Sequence, residues 1–180
     1  MLKSGTFPAT LAATAIVTAL ATSGCASSYK QSDITEPAAR LDPAKSVLVS
    51  TPPDGRFEQT VYPNSGRMTA NEVKKAFAAH TNKVDATEKC HGDDCMSVAK
   101  AGGYGYYVKP DILHWEDRAT EWSGLSDQIE IQLVVFDVGS GAELAHVSYH
   151  GKSKWLTFGG DHPQDLLPEP TTQYVNSLYK

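Results

Sequence analysis

Gln128-Ile129-Glu130-Ile131-Gln132-Leu133-Val134-Val135 is the stretch on which the fold class turns. Its apolar and polar side chains alternate, so a period of two puts Ile129, Ile131, Leu133 and Val135 on one face and Gln128, Glu130 and Gln132 on the other. That is a half-buried strand. Gly139-Ser140-Gly141 is turn chemistry, and Leu144 to Gly151 returns as the second arm of a hairpin. Upstream, Tyr104 to Val108 alternates as another strand, which Ile112-Leu113-His114-Trp115 extends beyond Pro110.

Toward the amino terminus the period changes. Ser46 to Thr51 is a short apolar run stopped by Pro52-Pro53-Asp54-Gly55, hence a buried strand and a turn. Thr69 with Glu72 three residues on has the form of a capping box, and Val73, Ala76, Phe77 and His80 then share a helix face. A strand over Lys83 to Thr87 leads to a helix through Met96, Val98 and Ala99, capped by Asp93 or Asp94 and ended by Gly102-Gly103. A last helix spans Thr171 to Tyr179, with Tyr174, Val175 and Leu178 on one stripe. The order β-α-β-α-β-β-β-α predicts an α/β fold with a single mixed sheet and a C-terminal helix. Two right-handed crossovers make the first three strands parallel, and the hairpin adds an antiparallel pair.

Strand direction then predicts where the long connections lie. Pro52 to Arg67, the Cys90/Cys95 loop, Glu116 to Ser126 and Lys152 to Leu167 should all emerge at the carboxyl edge of the sheet, the usual ligand side of such folds.

The first residues read as an export signal. Lys3 precedes a mostly apolar run from Phe7 to Leu20, too short and too diluted by threonine for a bilayer span. Ala19-Leu20-Ala21 fits ordinary signal peptidase, whereas Ser23-Gly24-Cys25 resembles a lipobox whose cysteine is acylated, with Thr22 where leucine is preferred. The lipobox also accounts for an otherwise unexplained thiol. The expected organisation is a signal peptide over 1–24, a lipidated N-terminus and tether over 25–45, and a single α/β domain over 46–180. Ala26 and Ser27 follow Cys25 in place of the Asp that retains lipoproteins in the inner membrane, so the expected location is the periplasmic leaflet of the outer membrane.

The chain carries 16 basic and 21 acidic side chains, a formal net charge of −5, and the leader removes one lysine and no acid. That argues against a nucleic-acid partner, which needs a basic face. In an oxidising compartment Cys90 and Cys95 are expected to pair across a loop opened by Gly92. A metal site through Cys90, His91 and Cys95, or two free thiols, are the alternatives.

The chemistry-bearing residues cluster in two segments, His114, Glu116, Asp117, Arg118 and Glu121, then Asp161, His162 and Asp165. Read as an enzyme, His114, Asp117, Asp161 and His162 would hold a metal and Glu116 would be the general base of a hydrolase. Read structurally, Arg118 pairs with acids of its own loop, His162-Pro163 opens the last segment, and Trp115, Trp122 and Trp155 pack the loops against the sheet. No HExxH, GxSxG or phosphate-loop pattern supports catalysis, and nothing fixes Ser123 or Ser153 in a triad. The expectation is a binding face made by Asp54, Arg56, His114, Glu116, Arg118, Trp122, Lys154, Trp155, Asp161 and His162, with no cofactor and no metal.

Four strings are distinctive: Val49-Ser50-Thr51-Pro52-Pro53-Asp54-Gly55, the run from Ile112 to Gly124, Gly151-Lys152-Ser153-Lys154-Trp155, and the run from Gly159 to Pro168. On these the chain resembles, over residues 25 to 180, an uncharacterised bacterial lipoprotein family, domain of unknown function 4823. The resemblance implies an envelope lipoprotein and brings no catalytic residue. The element order is also similar to small α/β domains of envelope lipoproteins such as the curli-secretion pore subunit, the activator LpoB and the N-terminal domain of TolB. That likeness implies a binding or assembly role with an envelope protein partner.

Overall fold

The computed structural model describes residues 27–118, 125–154 and 162–180. The alternating stretch is strand β7 (Gln128–Asp137), and Ile129, Ile131, Leu133 and Val135 are wholly buried. It pairs antiparallel with β6 (Tyr106–Glu116) on one side and β8 (Glu143–Lys152) on the other. The remaining strands are β1 (Ser28–Thr35), β2 (Val47–Ser50), the two-residue β3 (Arg56–Phe57) and β4 (Thr60–Val61), and β5 (Val84–Thr87). β2 is parallel to both β5 and β6, as two right-handed crossovers require. The main sheet has the order β1-β8-β7-β6-β2-β5, and β3 pairs with β4 in a separate small hairpin.

Two helices cover one face of this sheet. α1 (Ser65–Ala78) contributes Ala70, Val73, Ala76 and Phe77, and α3 (Pro168–Tyr179) contributes Tyr174, Val175 and Leu178, all packed with Val47, Val49, Val108 and the buried row of β7. α2 (Cys95–Ala101) lies on the other face, where Cys95 and Ala99 join Leu48, Tyr107 and Val138 in a smaller cluster. Cys90 and Cys95 form a disulfide at the entry to α2. Gly92, inside that loop, has a φ of 54°, which explains glycine there.

Three sequence expectations need correction. Residues 28–45 are not a tether: β1 extends the sheet along β8, and Leu41 is buried in the main core with its N–H on the Leu178 carbonyl. β1 hides from hydrophobic patterning because it is an edge strand of mostly exposed polar residues, held by backbone pairing and by Tyr29 against the core. Thr69 does not cap α1. The helix begins one turn earlier, where Asp54 accepts the N–H groups of Asn64 and Gly66, and the Thr69 hydroxyl donates to the Ser65 carbonyl. Asp93 and Asp94 form a short 3-10 turn before α2 and make no side-chain cap to it.

Candidate functional site

Pairing register locates the carboxyl edge. Ser28 pairs with Lys152, Lys152 with Gln128, and Gln128 with Glu116, so one cross-strand row joins the start of β1, the end of β8, the start of β7 and the end of β6. The ends of β6 and β8 and the start of β7 are where the sequence placed them, whereas the start of β1 joins this edge against the expectation of a tether.

Glu116 is the centre of the row. Its side chain is 5% exposed, yet its carboxylate accepts from the Arg118 Nε at 2.6 Å and stands 3.3 Å from the His114 Nε2. Gln128 adds a longer contact at 3.4 Å. Burial alone would raise this carboxyl, but Arg118 and His114 outweigh it and hold the group below its ordinary value. A β-bulge between Ile112 and His114 resets the alternation, so Trp115 turns into the core while His114 and Glu116 share the opposite face.

A second buried carboxylate locks the neighbouring loops. Asp127 accepts the Arg118 backbone N–H at 2.6 Å, receives Ser153 N–H on its carbonyl, and donates its own N–H to the Ser153 Oγ. Asp127 and Ser153 were not among the expected site residues. Their only signal was a polar residue at the mouth of a strand after a long loop, which is common.

The segment after β2 closes the edge from the side. Phe57 meets the His114 ring edge-on at 5.1 Å, and Gly55 lies so near Trp115 that an added Cβ would be 2.5 Å from the Trp115 Cβ. Two open clefts flank this segment. One, of about 370 Å³, is lined by Thr51, Pro52, Asp54, Asn64, Arg67, Glu88 and His91. The other, of about 350 Å³, lies against β6 between Pro53, Arg56, Asp111, Leu113 and Gln132.

The structure therefore sorts the expected binding face. His114, Glu116 and Arg118 are brought together, but as one internally paired network. Asp54 is spent on the start of α1, while Arg56 is exposed and Lys154 half-buried. His162 is exposed, its backbone N–H donates to the Asp165 carboxylate at 2.9 Å, and its Nδ1 lies 3.6 Å from the Asp117 carboxylate. Trp115 is core, not surface. Cys25, Trp122, Trp155 and Asp161 lie outside the described residues. The metal constellation does not assemble among the described residues, where no group of three or more His, Cys, Asp or Glu side chains is placed to share an ion. Glu116, engaged by Arg118 and held ionised, is a weak candidate for a general base.

The family described as Domain of unknown function (DUF4823) matches residues 39–178. The chain belongs to the DUF4823 family. No match was found among curated proteins. Among solved structures, the PelC dodecamer from Paraburkholderia phytofirmans is similar at 12% identity and a TM-score of 0.62, covering 85% of this chain and 97% of that one. A Xanthomonas campestris protein of family DUF330 is similar at 15% identity and a TM-score of 0.50, covering 78% and 91%. The C-terminal domain of LpoB from Salmonella enterica reaches a TM-score of 0.42 at 13% identity, covering 64% and 87%. The likenesses to PelC and to the DUF330 protein show a shared fold. No helix among the described residues is long and apolar enough to cross a membrane.

Proposed function

We propose that this DUF4823 protein is an exported lipoprotein, acylated on Cys25 and held at the periplasmic leaflet of the outer membrane, that binds or assembles with an envelope protein through the carboxyl edge of its sheet. What carries the reading is the use of the edge's reactive groups on one another: Glu116 is held by Arg118, and Asp127 by the Arg118 backbone and Ser153. Groups so paired make a rigid, shaped surface. Arg56, Lys154 and His162 supply polar contacts on its rim. The occurrence of the same fold as a dodecamer in PelC makes self-assembly a further outcome to examine.

Metabolic labelling with palmitate tests the anchor. The native protein should take up label and sediment with outer membranes, and Cys25→Ser should do neither. An unlabelled mature chain beginning at Thr22 would refute the lipoprotein reading. A photo-crosslinker placed at Arg56 should capture a protein that the same crosslinker at Ser140 does not. Equal capture at both positions would remove the carboxyl edge as the binding face.

A further inference from the structure

The anchor and the sheet are closer together than the sequence suggests. β1 begins at Ser28, three residues after Cys25, and three residues of chain span at most about 11 Å. Ser28 pairs with Lys152, at the same end of the sheet as Glu116 and Gln128. β1 then runs away from that end for eight residues, on the order of 25 Å, toward the edge that holds the Gly139–Gly141 turn. Acyl chains on Cys25 would therefore enter the bilayer beside the carboxyl edge, with the hairpin turn at the far end of the molecule.

Exposed apolar side chains follow the same polarity. Five large hydrophobic side chains are exposed among the described residues, and three belong to this end: Val61 at 47%, Leu113 at 51% and Leu125 at 55%. Val61 sits in the β3–β4 hairpin, Leu113 at the bulge in the last part of β6, and Leu125 just before β7. Exposed Arg56 and Lys152 accompany them, a pairing of apolar tips with cations that suits phospholipid headgroups above an acyl boundary. By contrast, β1 presents the exposed polar residues Lys30, Gln31, Ser32 and Asp33, and its one exposed large apolar side chain, Ile34 at 55%, lies at the end of the strand remote from Ser28.

We infer that the carboxyl edge faces the phospholipid surface of the membrane that carries the Cys25 anchor, with the β3–β4 hairpin and Leu113 against the headgroups and the 139–141 turn pointing away. This inference rests on the acylation of Cys25. It narrows the partner: a protein that binds this edge must itself reside at the membrane.

The test uses the acylated full-length protein in vesicles of phosphatidylethanolamine and phosphatidylglycerol. Cys90 and Cys95 are joined and Cys25 would be blocked by acylation, so a single added cysteine can take an environment-sensitive fluorophore. Val61→Cys and, as an independent site on the same hairpin, Thr60→Cys are compared with Ser140→Cys and with Ser32→Cys on β1. Brominated acyl chains should quench the label at 60 and 61 several-fold more than at 140 or 32, and aqueous iodide should show the reverse order. Strongest lipid quenching at 140, strongest quenching at 32, or equal quenching everywhere would each overturn the orientation. Mass measurement of the mature chain separates the two levels, because an unacylated chain refutes the lipoprotein reading before any vesicle is made.

Discussion

Arg118 reaches back two residues to Glu116, and this one contact changes how the residue should be used in experiments. The sequence offers Arg118 both as a partner for acids of its own loop and as a cation of the binding face; the pairing is what forms, and the guanidinium neutralises a carboxylate that is 5% exposed. Arg118→Met should therefore destabilise the domain at pH 7 by about 1–3 kcal/mol, since the charged hydrogen bond is lost while His114 and Gln128 remain. The Glu116 carboxyl lies below its ordinary value in the folded state, so its contribution is present above the unfolded value near 4.3 and lost as pH falls through the folded value. Urea unfolding should show the gap between native and variant narrowing as pH is lowered below about 4; a gap independent of pH would mean that packing, not charge, carried the loss. Gly66 supplies a second residue-level test. A Cβ there would stand 2.1 Å from the Pro52 carbonyl oxygen, so Gly66→Ala should push α1 from the β2 exit and cost about 1–3 kcal/mol, read from the denaturation midpoint. The pairing of Arg118 with an acid of its own loop is legible in the sequence, but the burial of Glu116 is set by other strands, and the approach of Gly66 to Pro52 joins residues far apart in the chain.

Elements with a strong period were legible, and those made by backbone pairing or distant caps were not. β7 and β8 stand where alternation and the Gly139–Gly141 turn put them, and the buried stripe of α3 is the expected Tyr174, Val175 and Leu178. β1 escaped because an edge strand needs little apolar surface, and the start of α1 escaped because its cap, Asp54, belongs to the preceding loop. The Cys90–Cys95 pair was readable from spacing, and its role is local. It closes a very short loop at the entry to α2, so reduction should cost only about 2 kcal/mol, chiefly through the unfolded chain. Denaturation with and without reductant measures this, and alkylation of unreduced, unfolded protein should modify neither cysteine. Two alkylated thiols would show that the bridge does not form in the native protein.

For the whole molecule, the consequence of β1 is orientation. With β1 beginning only three residues after Cys25, a lipid anchor on that cysteine would constrain which end faces the membrane, as a long flexible link would not. Inserting about ten Gly/Ser residues between Ala26 and Ser27 gives the link a root-mean-square reach near 20 Å. The difference in lipid quenching between labels at positions 61 and 140 should then shrink, while acylation and unfolding midpoint stay unchanged. An undiminished difference would mean that the edge holds the membrane by its own contacts and not through the short link. Local chemistry in the sequence by itself determined the α/β class, the hairpin, the parallel β2, β5 and β6, the bridged cysteines and the edge at which β6 and β8 end and β7 begins, because periodicity, turn residues and crossover handedness act within short reach along the chain. Only the tertiary structure decided that residues 28–45 belong to the fold, that Trp115 is core, and that Glu116, Arg118, Asp127 and Ser153 form a closed network. Those outcomes depend on which backbone edge is left open and which charges become buried together, and such facts exist only once strands distant in sequence lie side by side.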